Sequence, residues 1–195
     1  GHYGIAREFA ALTNQVLKPL PLTEPSYDGN HSISINVKSK DAVYRYSCLE
    51  ISDISKNISP INMRIRLYYC GMRGINLLAD LTNYIMLELG QPMHAFDANK
   101  ISSISVGTPE NELLFETLDG TKRHIDKDTL LIYDNEIPVA IAGIMGGLDS
   151  EIVDGTSAVV LESANFDAVS VRRSSTRLGL RTDASMRYEK TLDPE

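Results

Sequence analysis

From Phe115 to Glu162 the chain is a succession of short apolar runs broken by glycine, proline and Asp-Gly punctuation, which commits its middle to β-structure. Phe115 to Leu118 and Thr121 to Ile125 flank Asp119-Gly120, the signature of a two-residue hairpin turn. Short strands are predicted over Leu130 to Tyr133, Val139 to Ala142 and Ala158 to Glu162. Upstream, Ile33, Ile35 and Val37 alternate with Ser32, Ser34, Asn36 and Lys38, and Tyr44, Tyr46 and Cys48 repeat that two-residue period.

Helical patterns flank this middle. Residues 4 to 16 read as a helix, followed by an irregular connector from Lys18 to Asn30 with three prolines and the turn pair Asp28-Gly29. Ser59-Pro60 predicts a capped start, with Ile61, Ile65, Tyr68 and Met72 on one face and Gly71 near the stop. Leu78, Leu81, Ile85 and Leu89 form a second stripe closed by Gly90 and Pro92, placing Thr82 and Asn83 near its first turns and off the apolar face. Asp167 caps a helix running to about Leu178, where Gly179 ends it, and one more begins near Thr182. Helices around mixed strands predict an α+β fold with mostly antiparallel sheets rather than a regular parallel α/β fold.

A chain of 195 residues with 43% hydrophobic content can bury one sizeable core. The formal charge of −7 argues against an independent electrostatic grip on nucleic acid. Arg172, Arg173, Arg177, Arg181 and Arg187 form either a local basic face or a solvated helix surface. Cys48 and Cys70 lie apart in apolar surroundings, as buried reduced thiols do. No apolar stretch approaches a membrane span and no signal pattern opens the chain, so a cytoplasmic location is expected. Both ends read as cut: a helix begins without a lead-in, and the chain stops at Leu192-Asp193-Pro194-Glu195.

Gly-x-Gly-x-x-Gly, phosphate-loop, His-Glu-x-x-His and Gly-x-Ser-x-Gly motifs are missing, as is any close cysteine set, so no metal or cofactor site is expected. His2 and His31 sit in end or connector sequence, and His124 lies on the hairpin. His94, between Gly90-Gln91-Pro92-Met93 and Ala95-Phe96-Asp97, either bonds its local backbone or serves a site. Ala142-Gly143-Ile144-Met145-Gly146-Gly147 leaves a strand with glycines that suit either tight turning or a ligand lying on the backbone. Glu162 ends the run Val159-Val160-Leu161, either solvated there or holding a specific partner. The Thr182 hydroxyl can cap a helix or bind a ligand.

Taken in order, NLLADLTNYIMLELGQPMHAFD from Asn76 to Asp97, PVAIAGIMGG from Pro138 to Gly147, LESANFD from Leu161 to Asp167 and RLGLRTDASMRYEKTLDP from Arg177 to Pro194 resemble the β subunits of bacterial phenylalanyl-tRNA synthetases. HYGIAREFAAL near the start resembles the family's entry into the same region, so the likeness covers nearly the whole chain. It implies one B3/B4 editing unit over residues 1–195, excised from a longer β subunit, that hydrolyses tyrosine wrongly attached to phenylalanine tRNA. Carried over by position, Glu162 is implied as the carboxylate that recognises the tyrosine hydroxyl. His94, Thr82 and Asn83 are implied as the residues that orient ester and water, His94 as a base that titrates near neutral pH. Gly146, Thr182 and Ala184 are implied as the lining of the amino-acid site. Leu178 and Met186 stand where many members have histidine.

The resemblance further implies a catalytic α subunit and the remainder of β in an (αβ)2 assembly, with the acceptor end of tRNA(Phe) and its tyrosine moiety as ligands. ATP and magnesium are expected only in the complete synthetase. The alternative function is a non-catalytic interaction domain that supports assembly, which the acidic balance favours for an isolated piece; a hydrolase of small esters is a third reading.

Overall fold

The computed structural model describes residues 1–27, 29, 33–153 and 155–194. Asp28 of the expected turn pair, Asn30, His31, Ser32 and the terminal Glu195 lie outside the described residues. Along the chain run α1 (His2–Thr13), β1 (Ser34–Val37), β2 (Val43–Ile51), α2 (Ile61–Tyr69), α3 (Leu77–Leu89), β3 (Met93–Asp97), β4 (Ser103–Gly107), β5 (Leu113–Glu116), β6 (Lys122–Ile125), β7 (Leu131–Asp134), β8 (Ile137–Ile141), β9 (Met145–Gly146), β10 (Val159–Phe166), α4 (Ala168–Arg177) and α5 (Asp183–Tyr188). The strands form a five-stranded sheet in the order β1-β4-β7-β8-β9, a three-stranded sheet β2-β10-β3 and the hairpin β5-β6. Among the described residues only the β1/β4 ladder is parallel, so the fold is α+β with mixed, mostly antiparallel sheets and flanking helices, as expected.

The main core lies between the two larger sheets and under α4 and α5, with Phe96, Val106, Ile132, Val160 and Phe166 each 2% exposed or less. Leu78 of α3 packs with Ala95, Val159 and Leu161 in a smaller cluster. Strand alternation separates the two, because neighbouring residues on a strand point to opposite faces. His94, Phe96, Val160, Glu162 and Phe166 share the face of the main core, while Ala95, Val159 and Leu161 meet α3 from the other.

Local chemistry explains the element ends. Asn76 caps α3 by accepting from the Ala79 N–H at 2.9 Å, and Gly90 closes it at φ +91°. Asp167 caps α4 through the Ser170 N–H at 2.7 Å, as its position promised. Thr182 and Ser185 form a reciprocal capping box on α5.

Several expectations are corrected. The first helix ends at Thr13, not residue 16, because Asn14 turns left-handed at φ 53°. Ser59 does not cap α2: its hydroxyl bonds the buried Asp80 carboxylate at 2.5 Å, and Pro60 holds the cap position. Ile61, Ile65 and Tyr68 face solvent, and Leu67 is the buried residue of α2. Leu89 of the expected stripe is exposed, while Thr82 and Asn83 fall in the second turn of α3, in keeping with their expected place near its first turns.

The hairpin link is also longer than two residues. Glu116 pairs with Lys122, leaving Thr117 to Thr121 as a loop. Asp119 reinforces it by accepting from the Thr117 hydroxyl at 2.7 Å and the Thr121 N–H at 3.1 Å, beside the backbone turn bond from the Gly120 N–H to the Thr117 carbonyl at 2.8 Å. Cys70 is exposed and Cys48 half-buried, both free, where two buried thiols were expected. The arginines do not make one basic face: Arg177 pairs with Asp126 at 2.7 Å, Arg181 with Glu189 at 2.7 Å and Arg187 with Asp183 at 3.0 Å.

Candidate functional site

β10 extends four residues beyond its expected end, and this changes what Glu162 is. It sits in the middle of the central strand, opposite Cys48 on β2 and His94 on β3. Flanked on both sides and covered by the main core, it is 4% exposed rather than solvated at a strand end. Its partner is the Tyr46 phenol, which donates to Oε2 at 3.0 Å. Burial pushes the Glu162 carboxyl up to about 7, against the opposing pull of the Tyr46 hydrogen bond.

His94 stands on the same face, its ring edge-on to Phe96 with centroids 4.5 Å apart. Neither ring nitrogen has a hydrogen-bond partner among the described residues, so the bond to local backbone considered from the sequence is not made. Every fully buried side-chain nitrogen or oxygen among the described residues does have a partner, so the His94 nitrogens retain solvent contact. The surrounding protein nevertheless pushes the imidazole down to about 4. Expected to titrate near neutrality, His94 is therefore neutral there: a hydrogen-bonding group and a weak base. Glu162 is the group that changes charge near pH 7.

The glycine turn closes on this pair. A Cβ at Gly146 would stand 2.6 Å from His94 Cε1 and 2.8 Å from Nε2, so only glycine lets β9 pass the imidazole. Gly143 adopts φ +68°, and a Cβ there would press on Tyr188, Phe166 and Val171 at 3.0–3.1 Å. The Thr182 hydroxyl donates to the Ile144 carbonyl at 2.8 Å while accepting from the Ser185 N–H at 3.1 Å, tying α5 to the turn. Ala184 packs half-buried against the main core. Tyr188, also on α5, is 3% exposed and donates to the Ala164 carbonyl at 3.1 Å.

The structure thus gathers Glu162, His94, Gly146, Thr182 and Ala184 around the main-core face of β10. Thr82 and Asn83 are not drawn into that set by any hydrogen bond to His94 or Glu162 among the described residues. Both are half-buried on α3, and the Thr82 hydroxyl is donated to Ala79 O at 3.0 Å in its own helix. Of the two positions lacking histidine, Leu178 packs on the core and Met186 is 38% exposed.

Two groups escaped the sequence reading as site residues. Tyr46 appeared only as part of a strand pattern, and Gln91 only as part of a turn. The Gln91 amide donates to Ala164 O at 2.8 Å and to the Tyr188 phenol at 3.3 Å. Tyr46, Cys48 and Glu50 share the alternation of β2, so the signal for Tyr46 was its parity, which becomes informative once Cys48 is known to oppose Glu162. The Cys48 thiol, pushed up to about 12 by burial and the neighbouring carboxylate, is no nucleophile at neutral pH. Among the described residues, no group of three or more His, Cys, Asp or Glu is placed to hold a metal ion, and no helix is long and apolar enough to cross a membrane.

Comparison with known proteins shows the family. Residues 42–195 match the family model described as the B3/4 domain. The chain is 43% identical over 194 residues to a phenylalanine-tRNA ligase β subunit from Carboxydothermus hydrogenoformans, covering 98% of the chain and 24% of that protein. It is 44% identical over 195 residues to the corresponding subunit from Clostridium acetobutylicum, covering 98% of the chain and 25% of that protein. The chain therefore spans about a quarter of the length of the curated relatives it matches. An N-terminal fragment of the phenylalanyl-tRNA synthetase β subunit from Pyrococcus horikoshii shares the fold, with a TM-score of 0.53 at 16% identity, over 91% of this chain and 56% of that one. The chain belongs to the B3/4 domain family, in the form found in bacterial-type phenylalanyl-tRNA synthetase β subunits.

Proposed function

We propose that residues 1–195 form one editing unit of a phenylalanyl-tRNA synthetase β subunit, which hydrolyses the ester of tyrosine mischarged onto tRNA(Phe). The observation that carries this reading is the buried Glu162 carboxylate, held beside His94 and the glycine turn instead of in solvent. A synthetic pocket built for phenylalanine rejects an added hydroxyl weakly, so a second site that welcomes the hydroxyl is the physical remedy.

Glu162 supplies that welcome. A hydrogen bond from a phenol to a charged acceptor is worth roughly 1.5–3 kcal/mol, or about tenfold to somewhat above a hundredfold in favour of tyrosine. Phenylalanine gains nothing from the carboxylate. Glu162 Oε2 already accepts from Tyr46, and Oε1, which has no partner among the described residues and is not fully buried, is the atom for the incoming hydroxyl. His94, neutral and with both nitrogens free, orients the ester or the attacking water from the same face. Gly146 and Ala184 leave room, and Thr182 holds the turn. Positioning suffices for an activated ester, without a covalent nucleophile. Thr82 and Asn83 serve this reading only from α3, on approach of the substrate.

In this reading the chain acts in the cytoplasm with the α subunit and the rest of β, and the tRNA acceptor end brings the substrate. The test is tyrosyl-tRNA(Phe) hydrolysis by the complete enzyme with and without Glu162→Ala. Loss of at least about tenfold with the variant is expected; an unchanged rate overturns the assignment. A supporting role in assembly has its own observation: Ile61, Ile65, Tyr68 and Tyr69 leave an exposed apolar face on α2.

A further inference from the structure

The carboxylate assigned to an incoming phenol already holds one that belongs to the chain. Tyr46 lies on β2 opposite Ala164, one pleat from the Cys48–Glu162 pair and on the same face. Its ring rests on Phe166 at 6.3 Å, and Phe166 rests on Tyr188 at 5.2 Å, so an aromatic column fixes its direction. From there the hydroxyl reaches Glu162 Oε2 at 3.0 Å, the sole side-chain hydrogen bond to that carboxylate among the described residues. Every fully buried side-chain oxygen among them is bonded, so the unbonded Oε1 is the oxygen that keeps solvent contact.

We propose that Tyr46 is a positioning residue for ligand selection: by occupying Oε2 it fixes the carboxylate plane and leaves Oε1 alone to accept from a hydroxylated ring. The inference rests on the editing reading and adds to it the residue that sets how strongly the hydroxyl is felt. A carboxylate has room for several donors, so two phenols, one on each oxygen, are compatible. Without the inner one, the side chain would be free to rotate, and burial would act on it unopposed.

The groups facing Glu162 are Tyr46 and Cys48 from β2, His94 from β3 and Tyr188 from α5. Near pH 7 none of the four carries charge: the Cys48 thiol is pushed up to about 12, the His94 imidazole down to about 4, and both phenols upward. Among these groups Glu162 alone ionises between pH 5 and 9, and the Tyr46 bond favours its ionised form.

The experiment measures hydrolysis of tyrosyl- and phenylalanyl-tRNA(Phe) by the complete synthetase from pH 5.5 to 9. It compares wild type, Tyr46→Phe, Glu162→Gln and the double variant. Tyr46→Phe keeps the ring on Phe166 and removes one oxygen. The wild-type preference for tyrosine should rise with pH as Glu162 ionises. In Tyr46→Phe that rise should move upward by about one pH unit, with the preference at pH 7.5 falling about threefold as the ionised fraction falls. In the Glu162→Gln background, Tyr46→Phe should change neither quantity. An unmoved rise, an increased preference, or an equal effect in both backgrounds overturns the role of Tyr46. Absence of any tyrosine preference in wild type overturns the editing reading itself, a result distinct from the others.

Discussion

Replacing Glu162 by Gln should stabilise the chain at high pH relative to low pH, and the size follows from burial. In the folded chain the carboxyl ionises at about 7, against 4.5 as its ordinary value. A raised carboxyl means that the folded state binds more protons than the unfolded state between those limits. Its contribution to stability is complete below pH 4.5 and is lost as pH rises through about 7. Roughly two and a half units correspond to about 3 kcal/mol. The side chain is 4% exposed, so solvent screening removes little of it. Glutamine keeps an acceptor for Tyr46 and has no proton to lose. The stability difference between variant and wild type should therefore shift by about 3 kcal/mol in the variant's favour between pH 4.5 and pH 8. His94, whose own titration has the opposite sign, is common to both proteins and cancels. Chemical denaturation of the 195-residue chain at the two pH values measures this directly, followed by circular dichroism because the sequence contains no tryptophan. A difference that stays constant with pH refutes the claim that burial raises the Glu162 carboxyl.

Two further perturbations probe the other side of the pair. The His94 imidazole should stay neutral until the pH approaches about 4, with its buried neutral form costing stability as pH falls from 6.5 through that value; NMR titration of the ring checks it, and a midpoint near 6.5 contradicts it. Gly146→Ala forces a Cβ to within 2.6 Å of His94 Cε1, which should destabilise the chain by about 1–3 kcal/mol and move the ring. Unchanged denaturation and unchanged His94 resonances in that variant would show that the turn has slack the geometry denies.

What was legible in the sequence was local. The caps at Asp167 and Thr182 and the glycine stop at Gly90 depend on bonds between residues a few positions apart, and all three are present. Where a side chain found a distant partner, local reasoning gave way. Ser59 left its helix cap for Asp80, twenty-one residues on, because a buried carboxylate needs a donor. The stripe Ile61, Ile65 and Tyr68 has helical spacing, but spacing says nothing of what the helix meets, and this face meets solvent.

The chain order of motifs was enough to place it in its family, and the residue types were enough to nominate Glu162, His94 and the glycine turn. Only the tertiary structure decided their state. β10 is eight residues long and central because both β2 and β3 bond to it across more than 60 intervening positions, which no window along the chain can reveal. That pairing takes Glu162 from a strand end to the interior and brings Tyr46 to its side. Burial then exchanges the titration roles of carboxylate and imidazole, because removing water penalises charge on either group whatever its sign.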